Sequence, residues 1–444
     1  MKKMVKGELT VFLSLVFLLL ISLVGAVIES ASIQVEKNER RADASRAVES
    51  VFAEYHRGLL ENYGVLALDE TYETDSDSSQ NILNRLSYYG AENIKTDIEK
   101  IRYLTDDKGK AFYEQAVKYE KERKGLTKAD ELLKEMTRWE DSKQENESLK
   151  DRFEEAKEQV EQSIEGGENP MEDLNEFLSD KILGIVLPDG FQVSDKKLNL
   201  KELPSKRELK KGQGDFKAIS SVPTDTIFFN LYLSEKFGNA VDQKEKTALS
   251  YELEYLLNGK ESDKKNLEST VKKLTGFRFA LNYVYLMTDQ EKQMEVDTAA
   301  GVMAGLILSP EAKPAIKTVL LCAWSYAEAL TDIKTLLSGG KIGITKNEEN
   351  WNLSLWGLIH IKDHAVAGKE DADGWSYCDF LRAELLKKKK ETLSMKSLDL
   401  IEENFRQEQS GFRADRMLSG AGFHMSCPLR RGISYTFSTQ YQYH

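Results

Sequence analysis

Glu328 and Asp332 lie four residues apart in SYAEALTDIK, and Arg278 and Asn282 lie four apart in GFRFALNY. On helices each pair shares one face. If the two faces meet, they form a buried charge network, because an ion removed from water needs a partner and hydrogen bonds. The same two acids suggest a second chemistry: a carboxyl pair, one protonated and one ionised, can act as proton donor and base on a glycan. His360 and His364 share the four-residue spacing, which on a helix would aim both imidazoles at one metal ion. The zinc-protease pattern needs Glu directly after the first His, and Ile361 stands there, so two surface histidines near Gly368 are the expectation. The SGGK run at Ser338–Lys341 lacks the phosphate-loop residues, having Thr335 and Ile342 where Gly and Ser or Thr are required, and reads as a helix C-cap.

The remaining chemistry-bearing residues have plain readings. Cys322, inside TVLLCAW, is a small buried hydrophobe, and Cys378 and Cys427 pair only if the fold brings them within bonding distance. Three cysteines do not make a disulfide framework. The basic run Lys387–Lys390 suits a solvated helix face, with anionic wall polymer or lipid headgroups as the other partner class. No catalytic, cofactor-binding or metal-ligating residue is assigned.

The elements that must hold these residues begin with an anchor. Lys2, Lys3 and Lys6 precede an uncharged apolar run, Leu9 to Ile28, whose twenty residues cover roughly 30 Å as a helix, the thickness of a bilayer core. The lysines place the N-terminus in the cytosol and the remainder outside the cell membrane. A cleaved secretory signal is the competing reading, since Val24-Gly25-Ala26 ends in small residues and predicts a mature start at Val27. Against it, Glu29 to Arg57 contains no Pro or Gly, and Ala44, Val48, Phe52, Tyr55 and Leu59 keep helical spacing. Leu9 to Arg57 is expected to be one rod, about 70 Å long. This stalk resembles the N-terminal helix of type IV pilins and pseudopilins. Lys6-Gly7 fits the end of their basic leader, whereas the fifth residue after Gly7 is Phe12 rather than Glu, and the nearby acid is Glu8.

A second resemblance covers most of the chain. It is carried by GELTVFLSLVFLLLISLVGAVIESA (Gly7 to Ala31), ENYGVLALD (Glu61 to Asp69), ELEYLLNGKESDKKNL (Glu252 to Leu267), FRFALNYVYL (Phe277 to Leu286), AWSYAEALTDIKTLLSGGKI (Ala323 to Ile342), KNEENWNLSL (Lys346 to Leu355) and YCDFLRAELL (Tyr377 to Leu386). These resemble an uncharacterised family of membrane-anchored proteins of Gram-positive bacteria whose genes accompany tight-adherence (Tad) pilus assembly genes. The resemblance implies a role in that surface machine, with pilus or membrane-platform proteins as partners, and brings no catalytic motif.

Beyond the stalk, Tyr63 to Leu68 and Ile98 to Leu104 read as strands, and Lys108 onward as helix. Leu126–Trp139 and Leu149–Ile164 form a helical hairpin that packs on its own domain or receives a partner. The expected segments are 1–28 tail and transmembrane helix, 29–62 stalk, 63–194 first extracytoplasmic unit, 195–220 linker, and 221–444 second unit ending in a strand. Within the last, Ile227 to Phe237 and Ser262 to Met287 are helices and Leu249 to Leu257 a strand. Gly301 to Leu308 packs in the core, Ser309-Pro310-Glu311 starts a helix, and Tyr377 to about Phe405 is a single helix. Tyr435 to His444 alternates as an antiparallel strand. The fold class is therefore α+β and helix-rich.

Composition limits the partners. With 62 Lys+Arg against 74 Asp+Glu the net charge is -12, which disfavours a broad nucleic-acid interface. A non-enzymatic, membrane-anchored structural or assembly component is the expected function; a membrane-tethered envelope hydrolase or sensor using Glu328 and Asp332, or a secreted protein, are the alternatives.

Overall fold

The computed structural model describes residues 4–72, 79–124, 182–216, 222, 224–306, 308–360 and 366–443. The hairpin expected over 126–164 lies outside the described residues, as does His364. Helices α1 to α11 are Met4–Phe52, Gln80–Leu86, Asp106–Lys124, Ile182–Val186, Asp225–Lys236, Glu252–Asn258, Asp263–Thr288, Gln290–Leu306, Lys313–Leu337, Tyr377–Leu386 and Lys390–Arg406. Strands β1 to β4 are Leu68–Asp69, Lys95–Tyr103, Met417–Pro428 and Ser434–Gln442. The α+β class read from the sequence is the one observed.

The chain divides into two compact units, each assembled from separate stretches. One contains Met1–Gln115, Leu209–Ile219 and Gly411–His444, the other Ala116–Glu208 and Ser220–Ser410. The C-terminal strand therefore belongs with the N-terminal helix rather than closing the segment 221–444. The cause is pairing: β3 is the central strand and runs antiparallel to β1, β2 and β4. Gly420 in β3 lacks the Cβ that would sit 2.9 Å from the Tyr441 carbonyl oxygen, and so lets β4 come close.

Helix α1 is continuous through its 49 residues. Every residue from Leu9 to Ile28 is exposed, and the run is long and apolar enough to cross a membrane. Its far end changes character: Ala44, Ala47, Val48, Val51 and Phe52, on one helical stripe, are buried against Leu86, Phe423, Met425 and Phe437. Phe52 stacks on Tyr441 at 4.7 Å between centroids, and the Tyr443 hydroxyl donates to the Phe52 carbonyl.

Several local expectations need correction. Tyr63 to Leu68 is not a strand: a π-helical turn, Leu59–Tyr63, ends at Gly64 with φ 65°, and pairing begins only at Leu68. Leu249 to Leu257 is helix from Glu252, with Glu252 to Leu257 buried on all sides, so no periodicity could separate helix from strand. Gly301 to Leu306 is the end of α8 rather than core. Ala300 and Ala304 pack on Ala312, Ala315 and Val319, while Val302, Leu306 and Leu308 are exposed. Ser309 caps nothing with its side chain and precedes a short 3-10 turn before α9. The expected long helix from Tyr377 is two, α10 and α11, broken where Lys389 turns extended inside the lysine run.

The second unit positions its chemistry on helices with clear signals. Ser262 caps α7 by accepting from the Lys265 amide, and Ser376 forms a capping box with Asp379 at the start of α10. Helices α7 and α9 pack together, and Tyr283, Leu286, Cys322 and Trp324 share a core cluster with Trp351 and Leu355. Gly339, at φ 86°, ends α9 with its amide donating to Leu336, so SGGK is a helix stop.

Candidate functional site

The packing of α7 on α9 brings Arg278, Asn282, Glu328 and Asp332 together. Arg278 donates from Nε to Asp332 Oδ2 at 2.9 Å, and its second terminal nitrogen forms an ion pair with the same oxygen at 2.8 Å. Its other terminal nitrogen donates to the Gly343 and Ile344 carbonyls. Asn282 Nδ2 faces Asp332 Oδ2 at 3.4 Å. The guanidinium thus ties α9 to the loop that follows it.

That loop supplies what the sequence reading missed. Lys346 Nζ donates to Glu328 Oε1 at 2.6 Å and to Asp332 Oδ1 at 2.8 Å, bridging the two acids. Asn352 donates to Glu328 Oε1 from both its amide and its side chain, and the Leu353 amide reaches Oε2 at 3.0 Å. All four carboxylate oxygens are engaged, and two cations balance two anions. Side-chain exposure is 0% for Glu328, 1% for Asp332 and 3% for Lys346. Burial pushes the Glu328 carboxyl up, while the Lys346 charge and the hydrogen bonds pull it back. Every group reaching Glu328 is a donor, an arrangement that fits a carboxylate and fills the space a substrate would need.

A second set of buried acids anchors loops in the same unit. Glu252 accepts from the Gly238 amide and Asn404, Glu254 from the Ala240 amide and the Tyr377 hydroxyl, and Asp263 from the Ser250 and Tyr251 amides. Burial pushes Glu252 and Glu254 each up to about 7 despite those hydrogen bonds. These residues hold the irregular stretch 238–251 against α6 and α7, where no backbone ladder is available to satisfy its amides.

The other sequence candidates do not join a site. Cys322, Cys378 and Cys427 are free thiols, and burial pushes Cys322 up to about 12, which leaves it unreactive. Among the described residues no group of three His, Cys, Asp or Glu side chains is placed to hold a metal. His360 ends a short 3-10 turn, Leu355–His360.

Residues 159–429, more than half of the chain and including the whole Arg278–Lys346 network, match a family of unknown function, DUF5702. The chain belongs to that family. Helix α1 and the strand β2 lie outside the matched stretch. No curated protein matches the chain, and no solved structure does.

Proposed function

We propose that this DUF5702 protein is a non-enzymatic, single-pass membrane-anchored structural or assembly component of a surface machine of the Tad pilus type in a Gram-positive cell. Its N-terminus is cytosolic and both compact units are extracytoplasmic. One observation carries the reading: a single helix is bare and apolar over Leu9–Ile28 and, without interruption, becomes the core of a folded unit at Ala44–Phe52. A cleavable leader has no need of that continuity, whereas an anchor that transmits position or force to its head requires it. The Glu328–Asp332 pair supports the structural side, since a catalytic dyad needs an oxygen open to substrate and these four are occupied.

Two measurements test the proposal. Membrane fractionation with N-terminal sequencing should find the chain in the membrane pellet with Leu9–Ile28 retained; a soluble chain starting at Val27 overturns the anchor. A deletion strain should lose surface pili, recovered with the full chain and not with one lacking Leu9–Ile28. Unchanged pili in the deletion strain overturn the assembly role.

A further inference from the structure

The turn between β3 and β4 meets α1 where its apolar stretch ends. Leu429, buried, roots the turn, and Arg430 and Arg431 project from it with side-chain exposures of 75% and 76%. Between them and the helix lies a cavity of about 430 Å³ lined by Gly25, Ile28, Glu29, Ser32, Ile33 and the two arginines. Arg431 pairs with Glu29 at 2.5 Å. Arg430 is more loosely held: its terminal nitrogen is 3.3 Å from the Ser32 hydroxyl, its amide 3.4 Å from Glu36, and its Nε 3.9 Å from the same carboxylate. A guanidinium carries five N–H donors, more than these contacts use, and both arginine side chains are largely exposed.

Position along the helix decides what the cavity faces. Ser32 is four residues past Ile28, a rise of about 6 Å, and the headgroup layer is roughly 5–7 Å thick on each side of the hydrocarbon core. If Leu9–Ile28 spans the bilayer, the arginines sit at the depth of the phosphates of the outer leaflet, and Gly25 and Ile28 at the depth of the upper acyl chains. A Cβ on Gly25 would meet nothing within 4 Å, so the wall there is open to a chain lying along the helix.

We infer that this cavity is a binding site for the headgroup of an anionic phospholipid, its phosphate held by Arg430 and Arg431 and its glycerol end against Gly25, Ile28 and Ile33. The inference rests on the membrane-anchored reading. Arginine forks match phosphate oxygens in pairs, and the apolar wall distinguishes a lipid from free phosphate. The bound lipid would fix the height at which the β3–β4 turn, and with it the sheet, stands on the membrane.

The test uses the full chain in detergent micelles, with lipid retention read by native mass spectrometry. Dihexanoyl phosphatidylglycerol should be retained at least fivefold more than dihexanoyl phosphatidylcholine, and inorganic phosphate in excess should not displace it. Retention should drop at least fivefold in R430Q/R431Q and in G25L, which puts a bulky side chain on the cavity wall and leaves all charges in place; circular dichroism checks that both remain folded. Equal retention by parent and folded variants, no headgroup preference, or displacement by phosphate would overturn the site. Alkaline carbonate extraction of native membranes separates the two failures. A chain that extracts refutes the anchor and the site together, and a chain that stays but shows no lipid preference refutes the site alone.

Discussion

Removing the ammonium of Lys346 would leave Glu328 with no cation and Asp332 with Arg278 alone. Truncating one member of a buried ion network costs about 3–5 kcal/mol, because the remaining charge keeps its desolvation penalty. Lys346→Met is therefore expected to lower stability by about that amount, read by urea unfolding of the purified chain; a change under about 1 kcal/mol would show the network to be solvated. The meeting of Arg278 and Asn282 with Glu328 and Asp332 was legible in the sequence, since four-residue spacing on apolar helices leaves few faces for charge. Lys346 and Asn352 were not, because they stand on a loop whose path no periodicity describes. Glu252 and Glu254 make a second prediction. Their folded values of about 7 lie above the ordinary 4.5, so the folded state binds protons more tightly than the unfolded chain. Their contribution is fully present below pH 4.5 and is lost as pH rises through about 7. The melting temperature should fall between pH 5 and pH 7, and E252Q/E254Q should flatten that slope; an unchanged or steeper slope in the variant would refute the assignment.

At the scale of elements, β4 closes the core that α1 enters. Phe437 is buried beneath the Arg41 side chain, and replacing it with Ala should cost about 3–5 kcal/mol through the cavity left behind. Hydrogen exchange at Ala44–Phe52 should accelerate in F437A; unchanged protection there would show that the helix end folds without the sheet. Ser376→Ala removes a capping box and should cost about 1 kcal/mol by thermal melting. The start of α10 at Tyr377 was placed correctly although its end was not, and the strand β4 was readable from its strict alternation. Helix α6 was not, because side chains buried on every face erase the difference between a period of 3.6 and a period of 2. The lysine run hid the break between α10 and α11 for the opposite reason: four like residues carry no period at all.

At the scale of the molecule, membership of the two compact units was beyond the sequence. Strand pairing brings Tyr443 to Phe52 across 391 positions, and nothing local records such a partner. A unit made from both ends of a chain has a consequence during synthesis. The stripe Ala44–Phe52 emerges early, yet Phe423, Met425 and Phe437, which cover it, emerge several hundred residues later. The core around the end of α1 is thus completed late. Until the ribosome has delivered β3 and β4, that stripe has only early residues such as Ile82 and Leu86 to cover it, and a chain stalled before Met417 would be a ready target for quality-control proteolysis.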